Sequence, residues 1–208
     1  GADELVFLDI SATSEKRKTL TELVSAIARE INIPFTVGGG IHTLEDAKII
    51  IKAGADKISI NSAAVQNPNL INEIALELGQ QCVVVAIDVK KIDEKNMVFT
   101  HGGKVNSGKS AIDWAQEVEM LGAGEILLTS MNSDGTKNGF DIELIKQISQ
   151  CINLPRIASG GAGSINHFTT LFLETFATGG LAASIFHFGE LSIPHLKNEL
   201  KREGIPIR

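Results

Sequence analysis

The sequence of 208 residues predicts an α/β protein of the (βα)8 TIM-barrel class, and three observations carry this prediction. Short apolar runs alternate with amphipathic stretches, which is typical of buried parallel strands between helices. Landmarks of the first part recur about 121 residues later, which indicates two related halves, 1–82 and 83–208, within one domain. Repetition of βα units in each half favours a closed barrel over an open sheet.

The predicted elements follow from apolar spacing and from turn residues. The first helix carries Leu20, Val24 and Ile27 on one face, and Thr43 with Asp46 predicts a capping box at the second. Predicted strands are 5–8, 35–37, 58–60, 83–87, 126–128, 156–158 and 181–183. Predicted helices are 19–30, 43–53, 67–78, 110–121, 141–150, 164–175 and 194–203.

The internal repeat bears on the number of strands. Pro34 and Pro155 lie 121 residues apart, and 37–40 aligns with 158–161 at the same shift. The counterpart of the strand that ends at Asp88 would precede Gly1. We therefore expect seven strands here and a first βα unit, about 40 residues, missing from the chain.

Composition narrows the class of protein. A formal net charge of −6 without a Lys/Arg cluster argues against nucleic acid as the main partner, and no apolar run is long enough to span a membrane. We expect a cytoplasmic protein without a secretory signal, in which Cys82 and Cys151 are inert thiols; a disulfide or a catalytic pair is the alternative. The histidines lack metal-ligand spacing, so we predict no metal and no cofactor.

Glycine-rich strand ends predict two phosphate sites. Glycines follow the strands 35–37 and 156–158, and the neighbouring strands end in small polar residues. Backbone N–H groups at glycine loops and helix N-termini bind anions, although such glycines can also serve only as tight turns. The first site would use Gly40, Asn61 and Ser62, and the second Ser159, Gly161, Ala183 and Ser184.

Acidic residues at strand ends are candidates for proton transfer. By strand alternation, Asp88 lies on the same face of its predicted strand as Val84 and Ala86, and it is the last residue of that strand. Placing a carboxylate on an inward face costs free energy, so we expect it to have a function. It is our candidate general acid or base, with a helix cap or a salt bridge as the alternative. Asp9 and Asp134 are second candidates, and each could instead cap a turn.

Three charged residues each occupy the first position of a predicted strand, and these strands alternate along the chain. Glu4, Lys57 and Glu125 would form a mutually paired ring across the bottom of a barrel if they point inward, and would lie at its rim if they point outward.

Several segments resemble one known family, the cyclase subunit of imidazole glycerol phosphate synthase, a (βα)8 barrel of histidine biosynthesis. These segments are 3–10, 34–41, 83–88, 122–130 and 157–163, and the likeness covers essentially the whole chain. Segments 99–103 and 129–136 look like the cyclase rather than its sister, the phosphoribosyl-formimino isomerase.

The resemblance implies a lyase reaction. Ammonia converts the phosphoribulosyl-formimino aminoimidazole carboxamide nucleotide to imidazole glycerol phosphate and aminoimidazole carboxamide ribonucleotide. Two aspartates act as general acid and base; one corresponds to Asp88, and the other belongs to the unit expected before Gly1. The implied substrate contacts are Asp9, Gly40, Asn61, Ser62, Thr129, Asp134, Ser159, Gly161, Ala183 and Ser184.

The resemblance also implies a partner. A glutaminase subunit would dock on the bottom face and deliver ammonia through a gate that corresponds to Glu4, Lys57 and Glu125. We expect the 208-residue chain to be inactive alone, since its second aspartate would be absent. The isomerase reaction, or a non-catalytic fragment that binds phosphate or the glutaminase, are the alternatives.

Overall fold

The computed structural model describes residues 1–9 and 17–208, with the side chains of 17–19 left out. The chain divides into two compact units. The N-terminal unit contains 2–86 and 118–125, and the C-terminal unit contains Gly1, 87–117 and 126–208.

In the N-terminal unit, parallel strands alternate with helices. The strands are neighbours in chain order: Leu5 lies opposite Phe35, Thr36 opposite Lys57, and Ile58 opposite Val83. They are β1 (Leu5–Leu8), β2 (Phe35–Gly38), β3 (Lys57–Ile60) and the first residues of β4 (Val83–Ile92). The helices are α1 (Arg17–Glu30), α2 (Leu44–Lys52), α3 (Ser62–Gln66) and α4 (Asn69–Leu78), followed by a 3-10 turn (Gln80–Cys82).

In the C-terminal unit, an antiparallel arm accompanies parallel strands. Asp88 of β4 lies opposite Phe99, while Thr129 lies opposite Ser159 and Ser159 opposite Leu181 in parallel register. The strands after β4 are β5 (Lys95–Thr100), β6 (Val105–Ser110), β7 (Glu125–Ser130), β8 (Arg156–Ser159) and β9 (Gly179–Leu181). The helices are α5 (Ala111–Met120), α6 (Ile142–Ser149), α7 (Ile165–Glu174), α8 (Ser184–His187) and α9 (Ile193–Arg202).

Burial explains the short apolar runs of β2 and β3, in which Thr36 and Ser59 are also buried, at 2% and 4% exposure. Phe35, Val37, Ile58 and Ile60 are at most 2% exposed, because both faces of these parallel strands are covered. Side-chain caps are present at the start of two core helices: Thr43 and Asp46 form the predicted capping box of α2, and Asp141 caps α6.

Two predicted strands need correction. The strand predicted at 83–87 continues to Ile92 and pairs with β5, which itself pairs with β6. The sequence does not indicate this arm, because β4 beyond Val89 and all of β6 contain no buried residue. The strand predicted at 181–183 is β9, and it ends at Leu181 because Ala183 is already the N-cap of α8.

Within the described ranges, no helix has the length and apolarity needed to cross a lipid bilayer.

Candidate functional site

A cluster of three charges lies at the amino ends of strands in the N-terminal unit. Lys57 Nζ donates to Glu4 Oε2 at 2.9 Å and to Glu125 Oε2 at 2.8 Å. The side chains of Lys57, Glu4 and Glu125 are 19%, 31% and 13% exposed. The structure therefore brings together the three residues of the predicted ring, with one ammonium between two carboxylates.

The electrostatics of this cluster favour the charged lysine. Burial lowers the pKa of the Lys57 ammonium, but hydrogen bonds to Glu125 and Glu4 raise it, and the resulting pKa lies above its ordinary value. Lys57 is consequently a permanent cation at neutral pH, held by two carboxylates that compensate its partial burial.

The first glycine-rich strand end lies in the N-terminal unit. Gly39 and Gly40 have φ of +98° and +68°, and a Cβ on Gly39 would collide with the carbonyl oxygen of Asp9. The Asp9 N–H donates to Gly38 O at 2.8 Å. The turn thus needs glycine at Gly39, and Asp9 lies directly beside it.

A short helix begins at the neighbouring strand end. Ser62 is the first residue of α3, Asn61 is its N-cap, and Val65 N–H donates to Asn61 O at 3.0 Å. Gly38 lies opposite Ser59, three residues before Ser62. The predicted residues of the first phosphate site are therefore on adjacent strand ends of one unit.

The second glycine-rich end lies in the C-terminal unit and has the same features. Gly160 and Gly161 have φ of +90° and +98°, and a Cβ on Gly161 would collide with the carbonyl oxygen of Gly139. Gly139 N–H donates to Gly161 O at 2.7 Å. The register sets Thr129 opposite Ser159, so these two predicted contacts are neighbours.

Asp134 belongs to the turn that follows β7. Its N–H donates to Ser130 O at 2.9 Å, and its Cα would be 3.4 Å from a Cβ on Gly160. Its backbone is therefore part of this turn, while its exposed side chain lies near the glycine loop. Ser130 Oγ donates to Asp141 Oδ2 at 2.9 Å, which ties this turn to the start of α6.

The short helix α8 follows β9 as α3 follows β3. Ala183 and Ser184 are exposed at its first turn, with His187 N–H donating to Ala183 O at 2.9 Å. Ile185 is buried, and the ring of Phe186 packs 5.9 Å from that of Phe168. Sequence periodicity missed both short helices, because four or five residues are too few to show a period.

Asp88 lies within β4, five residues from the start of the strand. It is half-buried, and beyond it Met131 N–H donates to Val89 O at 2.8 Å and Lys91 N–H to Asn132 Oδ1 at 2.8 Å. The carboxyl end of β7 therefore lies beside Asp88. The expectation that Asp88 ends the strand was wrong, because the hairpin arm extends β4 beyond it.

Alternating parallel strands and helices, with glycine loops and short helices at their carboxyl ends, define a protein of the (βα)-barrel class. The model of the family "Histidine biosynthesis protein" matches residues 1–192. The chain belongs to this family and, within it, groups with the HisF subunits of imidazole glycerol phosphate synthase.

Curated relatives support this placement over the full chain. The chain is 58% identical over 208 residues to the imidazole glycerol phosphate synthase subunit HisF of Flavobacterium johnsoniae. It is 57% identical over 208 residues to that of Flavobacterium psychrophilum and 55% identical over 210 residues to that of Clostridium botulinum strain Okra. Each match covers 100% of this chain and 83% of the relative. The resemblance, the barrel class and the assignment to a lyase of histidine biosynthesis are confirmed.

Proposed function

We propose that the gene product that contains this chain carries out the cyclase reaction, in which ammonia and the phosphoribulosyl-formimino aminoimidazole carboxamide nucleotide give imidazole glycerol phosphate and aminoimidazole carboxamide ribonucleotide. One observation carries the proposal for the site: a left-handed glycine loop beside the start of a short helix occurs in each unit. A nucleotide substrate with two phosphate groups requires two such sites.

Each phosphate would be held by backbone N–H groups. The N-terminal unit offers Gly40, Asn61 and Ser62, and a short helix that starts at Ser62 adds its positive end. The C-terminal unit offers Ser159, Gly161, Ala183 and Ser184 in the same arrangement. Thr129 and Asp134 would contact the remainder of the substrate from the end of β7 and the turn after it, and Asp9 from the end of β1.

Asp88 would transfer protons. Ammonia adds to the ribulosyl carbonyl and water leaves to form an imine. The nitrogen from ammonia then bonds to the formimino carbon and closes the imidazole ring, as the other C–N bond of that carbon breaks and aminoimidazole carboxamide ribonucleotide leaves with a proton on its amine. Every step needs a proton delivered or removed, which is the work of a carboxyl group positioned at the reacting atoms. The half-buried position of Asp88 on β4, next to the carboxyl end of β7, supports this role.

Glu4, Lys57 and Glu125 would gate ammonia supplied by a glutaminase subunit. The name of the relatives describes them as subunits of a synthase, which supports a complex of this kind. The pairing of Lys57 with both carboxylates supports a gate that is closed while these bonds persist. Free thiols at Cys82 and Cys151 support a cytoplasmic location.

The test is product identity. The gene product that contains this chain is incubated with the nucleotide, with and without ammonium salts at alkaline pH, and the products are separated. Imidazole glycerol phosphate should form only with ammonia. Isomerisation of the preceding pathway intermediate without ammonia would instead support the isomerase, and no conversion of either compound would contradict both enzymes.

A further inference from the structure

We infer that the ion pair between Lys137 and Glu190 is a latch that positions the second phosphate site, so that Lys137 is a positioning residue for phosphate binding at Gly161 and Ser184. The inference rests on the phosphate assignment proposed above. Lys137 Nζ lies 2.7 Å from both Glu190 Oε1 and Glu190 Oε2. Both side chains are 44% exposed and belong to the C-terminal unit.

The backbone of Lys137 is fixed against the glycine loop. Its φ is +57°, in the left-handed region that a lysine seldom adopts. A Cβ on Gly163 would lie 2.5 Å from Lys137 O and 2.7 Å from Lys137 Cβ, so the two backbones touch. Gly139 N–H also donates to Gly161 O at 2.7 Å. The segment around Lys137 therefore runs beside the loop that carries Gly161.

The side chain of Lys137 reaches the segment that follows α8. Glu190 precedes Leu191, whose N–H donates to Ile185 O at 3.0 Å. Ile185 is the second residue of α8 and is fully buried next to Ser184. Through Lys137 and Glu190, the loop with Gly161 is thus connected to the helix start with Ser184.

Such a connection matters because an anion is bound by several backbone N–H groups at once. Two loops that keep a fixed separation bind phosphate with less loss of conformational freedom than two independent loops. The strained backbone of Lys137 is a feature that is found where a site is preorganised. The latch is therefore expected to act on affinity for phosphate rather than only on global stability.

The test titrates the chain with inorganic phosphate and follows the amide resonances of Gly161 and Ser184, with Ser62 as the reference for the other site. Lys137→Met should weaken phosphate binding at Ser184 by about threefold, the scale of a partly exposed ion pair, and leave binding at Ser62 unchanged. Glu190→Gln should have the same effect. The double variant Lys137→Glu with Glu190→Lys should restore affinity.

A matched control separates positioning from stability. Lys146 and Glu174 form an equally exposed pair at 2.9 Å between α6 and α7, and Lys146→Met should leave both phosphate affinities unchanged. In the cyclase assay, Lys137→Met should raise KM with little change in kcat.

Three outcomes overturn the inference in distinguishable ways. Unchanged affinity at Ser184 in Lys137→Met, with or without a lower Tm, refutes the positioning role while the phosphate site stands. Tighter binding in Glu190→Gln would make Lys137 a direct phosphate ligand that Glu190 restrains. If the unaltered chain shows no saturable shift at either site, the phosphate assignment fails, and the latch fails with it.

Discussion

At the scale of single residues, the ammonium of Lys57 lies between the carboxylates of Glu4 and Glu125 and offsets their mutual repulsion. All three side chains are partly buried. Lys57→Met should lower the free energy of unfolding at pH 7 by about 2 kcal/mol, between the values for exposed and buried pairs. Denaturant titration measures this. Lys48→Met, which breaks the more exposed pair with Glu77, is the control and should lose clearly less.

The loss of stability in Lys57→Met should depend on pH. Because the pKa of Lys57 in the folded chain lies above its ordinary value of 10.5, its contribution to stability is complete below about pH 10.5 and is lost as the pH rises through the folded pKa. The stability difference between the unaltered chain and Lys57→Met should therefore be constant from pH 7 to 10 and shrink above. A difference that shrinks towards neutral pH would contradict this.

Asp88 is the residue on which proton transfer depends. Asp88→Asn should lower kcat about 100-fold or more with an unchanged circular dichroism spectrum, since the amide cannot shuttle a proton. Asp93→Asn is the matched control, because Asp93 lies exposed at the turn between β4 and β5 with φ of +46°, which asparagine tolerates. Equal activity of both variants would remove Asp88 from the mechanism.

At the scale of elements, helices of this chain begin both with and without a side-chain cap. Thr43 Oγ1 accepts from Asp46 N–H at 3.1 Å, whereas the Ser164 hydroxyl makes no capping hydrogen bond with any residue in the described ranges. Thr43→Ala should lower the free energy of unfolding by about 1 kcal/mol, and Ser164→Ala should lower it by clearly less. Thermal unfolding of the two variants provides the comparison, and equal losses would show that the cap bond adds nothing.

Glycine loops at strand ends differ in how much space surrounds them. Gly161 and Gly135 both have positive φ, but a Cβ on Gly161 would meet Gly139 O, whereas a Cβ on Gly135 meets no described atom within 4 Å. Gly135→Ala should lower the free energy of unfolding by about 1 kcal/mol, from backbone strain alone. Gly161→Ala should lower it by more, because the added Cβ also displaces the loop. Denaturant titration compares them, and similar losses would contradict the crowding argument.

The elements that the sequence predicted are those with a strong apolar period. The helix bounds agree to within two residues, as for 141–150 against Ile142–Ser149. The arm formed by β5 and β6 was missed because β6 contains no buried residue and β5 is buried only at Val98, Phe99 and Thr100, so neither shows the long apolar run of a core strand. The short helices α3 and α8 were missed because their starts depend on the preceding strand end rather than on a pattern of their own.

At the scale of the whole molecule, the repeat predicts two phosphate sites per chain. Titration calorimetry with inorganic phosphate should give a stoichiometry near two, with both sites weakened by salt because the ligand is an anion. Gly161→Ala should reduce the stoichiometry towards one, since it alters only the loop of the C-terminal unit. A single site in the unaltered chain would contradict the duplicated assignment.

The division of the domain into halves at residues 82 and 83 stays a prediction, as does the role of each site residue. What the family membership settles is the barrel class and the place in histidine biosynthesis.

The sequence by itself determined the class of fold, the glycine loops and the candidate charges, because apolar period, turn chemistry and repeat spacing are local properties of the chain. Only the tertiary structure decided that Lys57 binds both Glu4 and Glu125, and that Lys137 reaches Glu190. Such pairs join residues up to 68 positions apart. Their formation depends on strand register and on loop backbone angles, which no local pattern specifies.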